Sequence, residues 1–250
     1  MINGQYWINT DQFIDIERLK SIELDIIKGI CMTVPHHHKI AVYGFTVLEK
    51  PNWASVDHLL HHVYKDKYAK TYNELWTEIK DITQRMEAVK LFTKLAFGVY
   101  SGGVNVVLRR ESDYTLKNHS QHCKDTVASL CFPSLMSYLD SLPFSEVGRA
   151  VIFLNDHDLG TPIHTDGFPG GKHTNDFLWL STNLSKKFFI YDKTTCTKHY
   201  VASHSAFFNE HDWHGSDGVS EMNFSIRVDG VFTPEFKDQL GISHLTDYNA

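Results

Sequence analysis

Several things are missing from this sequence, and each absence narrows what the chain can be. No stretch approaches the roughly 18 consecutive apolar residues that a membrane-spanning helix needs, so no membrane role is expected. No run of Lys and Arg is long enough to follow a phosphate backbone, and a net charge of −6 offers no basic footprint for nucleic acid. Residues 1–10 lack the basic flank and apolar stretch of a secretory leader. The four cysteines, Cys31, Cys123, Cys131 and Cys196, are scattered and form no CxxC pair. That usage fits reduced thiols in a cytoplasmic protein.

What is present is an ordinary soluble composition with one unusual count. The chain has 250 residues, 42% hydrophobic and 22% charged, which suits one domain with a sizeable core and argues against extended disorder. Histidine is the outlier at 16, so histidine content alone cannot select a ligand set. No repeat, low-complexity tract or linker divides the chain, and a single domain over residues 1–250 is expected.

The hydrophobic period changes part-way along. Residues 1–148 read as a mainly helical support region. Ile16, Leu19, Ile26 and Ile27 fall on one face behind the capping candidates Thr10 and Asp11. Residues 40–48 read as a strand and 55–64 as a short helix. Thr71-Tyr72-Asn73-Glu74 has the capping-box pattern, and Leu75, Ile79, Ile82, Met86 and Val89 continue at helical spacing to about Phe97. Residues 104–109 read as a strand, and 120–142 as two short helices broken near Pro133. Residues 149–232 then supply short β-branched and aromatic runs at 149–155, 175–182, 187–191, 197–202, 205–209 and 222–232, with a hairpin turn at residues 192–195. Helices first and strands second predict an α+β chain whose strands close as a sandwich or barrel, followed by a C-terminal tail at 233–250.

The segment from Thr161 to Gly167 follows the first of these strands. In an extended segment His164 and Asp166 are two residues apart and face the same way. A third ligand then has to come from another element, and His214, 48 residues after Asp166, is the candidate. Two histidines and one carboxylate on one face of a metal form a facial triad that leaves positions open for other ligands. An HxD tripeptide alone says little, because 16 histidines and 30 acidic residues produce such pairs by chance as surface or packing groups. His157-Asp158 and His211-Asp212 are adjacent pairs that cannot share a strand face, and His36-His37-His38 reads as a polar loop.

Arg227, 13 residues beyond His214, adds weight. Phe224, Ile226 and Val228 would cover one face of its strand, and Ser225, Arg227 and Asp229 the other. A guanidinium facing a barrel interior needs a partner. A dicarboxylate ligand matches its planar fork, with Ser225 adding a hydroxyl. The plainer alternative is a protein carboxylate, and Asp229 is available.

The order HxD, a gap near 50, His, then Arg 10 to 14 residues on resembles the Fe(II)/2-oxoglutarate oxygenase superfamily, over residues 149–232. The resemblance implies a double-stranded β-helix, or jelly-roll, core with N-terminal helices buttressing the larger sheet. It implies that His164, Asp166 and His214 form the catalytic centre and hold Fe(II), that Arg227 and Ser225 hold 2-oxoglutarate as cosubstrate, and that O2 is the oxidant. Residues 198–201, 205–208, 214–215 and 224–230 are also similar to a group of small bacterial hydroxylases and radical halogenases acting on free amino acids and nucleotides. The implied activity is hydroxylation of an unactivated C–H bond in a small metabolite such as a free amino acid, with succinate and CO2 released. The net charge mildly favours a cationic substrate. Asp166 stands where such halogenases carry a small residue, which implies hydroxylation.

One departure concerns Asp229, which stands where many members of that family place a Ser or Thr. Its charge would repel the cosubstrate carboxylate unless it points elsewhere, so Asp229, with Trp213, becomes a candidate for substrate contact. Trp179, Phe188, Phe189, Tyr191 and Trp213 are candidate cavity walls, though each such residue is more often plain core. His164 and His214 should each be oriented through the other ring nitrogen. Two readings compete. A facial-triad enzyme without 2-oxoglutarate, such as a cupin-type dioxygenase or zinc hydrolase, needs only the three ligands, and is separated by whether Arg227 faces the metal cavity. A non-catalytic β-sandwich binding module would leave His164, Asp166 and His214 apart.

Overall fold

The β-branched and aromatic runs of the second half form strands, because such side chains pack well on a pleated, half-buried surface. The computed structural model describes residues 1–30, 104–110, 122–125, 127–155, 160–166, 175–220 and 223–243. The expected strand at 40–48, helices at 55–64 and 75–97, capping box at 71–74 and histidine run at 36–38 lie outside the described residues, as do His157 and Asp158. The strands are β1 (Ile8–Asn9), β2 (Val104–Arg110), β3 (Lys124–Asp125), β4 (Phe144–Asn155), β5 (Thr161–His164), β6 (Asp176–Leu180), β7 (Lys187–Asp192), β8 (Thr197–Tyr200), β9 (Ser205–Phe207), β10 (His214–Asp217) and β11 (Asn223–Phe232).

They form a seven-stranded sheet in the order β1-β9-β6-β11-β4-β2-β3 and a four-stranded sheet in the order β5-β10-β7-β8. The strand pairs are antiparallel. From β4 onward the chain crosses between sheets at every connection except the β7–β8 hairpin. This winding is compatible with a jelly-roll sandwich. Across the interface Trp179 stacks on Phe188 with ring centroids 5.2 Å apart, and Phe188 meets Phe208 at 5.2 Å. β11 lies in the middle of the large sheet, pairing with β4 on one side and β6 on the other, so that Arg227 stands opposite both Val151 and Trp179.

Short helices from both ends of the chain join the same core: α1 (Ile16–Ser21), α2 (Pro133–Leu139) and α3 (Pro234–Leu240). Leu19, Leu135, Leu139 and Phe236 bury into it, as do Ile26 and Ile30 of the helical residues 23–30. The cap of α1 differs from expectation. Asp15 accepts from the Arg18 backbone N–H at 2.9 Å, whereas Asp11 is drawn to β9, where it accepts from the Ser205 N–H at 2.7 Å. β4 begins at Phe144, inside the stretch read as helical support, and β1 was not expected from the sequence. Part of the tail is ordered as α3, which Thr233 caps at its start and Gly241, at φ +67°, closes in the left-handed region. Among the described residues no helix is long and apolar enough to cross a membrane.

Candidate metal centre

β5 runs along the edge of the small sheet against β10, with His164 directly opposite His214. Two glycines permit that approach. A Cβ on Gly160 would stand 2.0 Å from the Ser216 carbonyl oxygen, and one on Gly215 2.7 Å from that of Thr161. The imidazole centroids are consequently 4.4 Å apart. β5 ends at His164, so Asp166 reaches the site from beyond the strand. Its backbone N–H donates to the Glu210 carbonyl at 3.1 Å. Its Oδ1 lies 3.4 Å from His164 Nε2 and 3.8 Å from His214 Nε2. The three ligand atoms all lie within 4.8 Å of one another. The separation expected of a bare β-sandwich module is therefore absent.

Ring orientation explains what this cluster can hold. His164 Nδ1 is 2.8 Å from the Pro162 carbonyl, and His214 Nδ1 is 2.8 Å from the Asp212 carbonyl. A carbonyl oxygen only accepts, so each Nδ1 carries the proton and each Nε2 presents a lone pair to its neighbours. These backbone carbonyls are the orienting groups that the sequence did not name. Two imidazole lone pairs and a carboxylate oxygen thus converge with no donor between them, an arrangement that a divalent cation relieves. The His164 side chain is 42% exposed and that of His214 only 5%, which puts the centre at the rim of the sandwich. The Asp166 contact raises the His164 pKa above its usual value. Burial alone would raise that of Asp166, but in the absence of an ion protonated His164 and His214 rings would donate to it through Nε2 and, with the charge of Arg227, hold it far below the usual carboxylate range, and a bound cation would take the place of those protons.

Arg227 reaches this centre from β11. Its Nη1 is 2.5 Å from Asp166 Oδ2, its Nη2 2.5 Å from Glu210 Oε2 and its Nε 2.8 Å from Asp229 Oδ1. The ring of Phe177 lies 4.0 Å from its guanidinium carbon. Burial would lower its pKa, but Asp229, Glu210 and Asp166 raise it. Arg227 therefore faces the metal centre, yet each of its three nitrogens is taken by a protein carboxylate. Asp229 is spanned by two guanidiniums, since its Oδ2 lies 2.9 Å from Arg149 Nε. This resolves the departure noted at Asp229: the acid points into an ion-pair network and not toward a substrate. Among these groups, three carboxylates face two guanidiniums, and the surplus negative charge favours a cation at the triad.

The remaining expected residues are spread over both sheets. Ser225 accepts a hydrogen bond from Lys186 Nζ at 2.9 Å. Phe188 lies inside, 5.9 Å from the His214 ring, while Phe189 packs on the other face of β7 against Tyr200 at 5.8 Å. Trp213 engages a neighbouring lysine. It precedes His214 in the chain, and the Lys193 ammonium sits 3.2 Å above its ring.

No family model matches the chain, and no curated protein matches it. Thirty-four solved chains do. A prolyl-4-hydroxylase of Pseudomonas putida matches at 11% identity and a TM-score of 0.27, over 39% of this chain and 57% of its own. The viral collagen prolyl hydroxylase of Paramecium bursaria Chlorella virus 1, solved in complex with 2-oxoglutarate, matches at 11% and 0.26, over 40% and 70%. AviO1 of Streptomyces viridochromogenes matches at 12% and 0.28, over 41% and 59%. The match spans less than two thirds of the first and third of these proteins. At scores this low, likeness by itself assigns neither fold nor chemistry.

Proposed function

We propose that this chain is an Fe(II)- and 2-oxoglutarate-dependent oxygenase that hydroxylates a small metabolite. The observation that carries the reading is the convergence of His164 Nε2, His214 Nε2 and one Asp166 oxygen, with both rings fixed in the ligand tautomer by backbone carbonyls. These three groups would hold the iron on one face and leave its other positions open. The bound iron would supply the oxidising chemistry with O2. The protein's own part is to orient and to exclude water. Pro162 and Asp212 fix the rings, Arg227 holds the outer oxygen of Asp166 so that the inner one faces the site, and Phe188 and Phe208 close the inner side of His214. Because Asp166 supplies a third, anionic ligand, a halide would have to compete with it, which favours a hydroxylated product.

Metal titration should give one Fe(II) or Mn(II) per chain, and His164→Ala or His214→Ala should abolish tight binding. The iron-loaded chain should release succinate from 2-oxoglutarate in an oxygen-dependent way across a panel of amino acids and related metabolites. Mass spectrometry should show a hydroxylated product even with excess chloride. Variants that bind metal like the wild type would overturn the site, and a halogenated main product would overturn Asp166 as a ligand. The facial-triad alternative without 2-oxoglutarate draws support from one observation, that the nitrogens of Arg227 are already engaged by carboxylates.

A further inference from the structure

The segment that leads into α1 packs against the end of α2 and the turn before β4, and a cavity of about 390 Å³ lies among them. That volume falls within the range of small-molecule sites. The cavity shares no residue with the centre at His164, Asp166 and His214. Its apolar walls are Phe13 and Ile14 from the first segment and Leu142 and Pro143 from the second, and Tyr138 of α2 completes them.

Two polar groups of the lining have unused capacity. Tyr138 is fully buried, and its hydroxyl has no hydrogen-bond partner. Buried polar groups are nearly always paired, and a phenylalanine would fill the same space without that cost. The hydroxyl therefore points to a partner that the chain itself does not supply. Asp15 is the one charged residue of the lining. One of its oxygens caps α1 by accepting from the Arg18 backbone N–H at 2.9 Å, and among the described residues no base lies within ion-pair distance of the carboxylate. The Arg18 guanidinium is turned elsewhere. It donates to Ser137 at 2.9 Å and to Ser141 at 3.0 Å, with its central carbon 5.7 Å from the centre of the Tyr138 ring. At the Tyr138 hydroxyl, burial and the charge of Asp15 raise the pKa, Arg18 lowers it and Asp11 raises it, so two acids face one base.

We propose that this cavity is a second small-molecule site, separate from the metal centre, for an organic ammonium ion. Asp15 takes the charged head, the Tyr138 hydroxyl accepts one of its N–H groups, and Phe13, Ile14, Leu142 and Pro143 cover an apolar body. The rings of Phe13 and Tyr138 add to the preference for a cation. An anion would meet the Asp15 charge with no base in the lining to offset it, and a purely apolar ligand would leave both polar groups unpaired. The site does not depend on the oxygenase reading.

The test is calorimetric titration of the full chain at neutral pH with benzylammonium, with benzyl alcohol, which lacks the charge, and with phenylacetate, which reverses it. Benzylammonium should bind at one site with a dissociation constant of about 1 mM or below, and the alcohol and the anion about tenfold more weakly or worse. Asp15→Asn keeps the helix cap, because asparagine caps as well as aspartate, and should weaken benzylammonium about tenfold. Tyr138→Phe should weaken it about fivefold without lowering the melting temperature of the free chain, since it removes only an unpaired group. His164→Ala should bind benzylammonium like the wild type. The proposal is overturned if benzylammonium does not bind, if the alcohol or the anion binds equally well, or if binding is lost in His164→Ala. Wild-type affinity in both Asp15→Asn and Tyr138→Phe would overturn it too.

Discussion

The two oxygens of Asp166 serve different neighbours, with Oδ1 toward the histidines and Oδ2 held by Arg227. Arg227 is thereby the residue through which the metal centre is tied to the buried charge network of β11. Arg227→Met would leave Glu210 and Asp166 without their guanidinium, and Asp229 with that of Arg149 alone. Breaking such a buried pair costs about 3–5 kcal/mol. The expected outcome is a lower melting temperature by circular dichroism together with weaker metal binding, and a wild-type melt would show that the network contributes little. At this scale the three candidate ligands were legible in the sequence from their identity and order, although β5 ends at His164 and Asp166 lies beyond the strand expected to carry both. Glu210 and Arg149 were not, since their roles depend on which strands come together. The burial of Lys186 was also hidden. It precedes Lys187, which is exposed, and two adjacent lysines read as solvated surface.

Among the elements, the pairing of β5 with β10 decides whether the two histidines meet. Gly160 faces the Ser216 carbonyl so closely that Gly160→Ala must push β5 away from β10. The expected loss is roughly 1–3 kcal/mol, as for other overpacked sites. Metal affinity should fall too, because the displaced strand carries His164. Thermal melts and metal titration check both, and unchanged metal affinity would show that His164 can reach the site without the close register. Strands with a continuous apolar signal, such as β6, β7 and β11, were readable to within a few residues. β5 has no such signal: its ends are half-buried and its middle is exposed, so only the HxD motif marked it. The start of β4 was missed because Phe144–Gly148 follows a short helix and lacks a strong β run.

For the whole molecule, an α+β chain was expected, and what is described is mainly a pair of antiparallel sheets with short helices at their margins. Composition and period revealed the sandwich, but not its strand order, which follows from long-range pairing. The metal centre and its support are divided unequally within this architecture. His164 and Asp166 come from and just beyond an edge strand, whereas Arg227, behind them, sits on β11, which is paired on both sides and buried along nearly its whole length. Backbone amides of β11 should therefore exchange with deuterium only through global unfolding, while those of β5 exchange through local opening. An ion bound across His164, Asp166 and His214 should slow exchange in β5 far more than in β11, a contrast that exchange measured with and without Mn(II) would reveal. Equal protection of both strands would contradict it. The rim of the sandwich is then a hinged flap in the metal-free chain, and the ion acts as the clasp that fastens it to the part of the molecule that opens last.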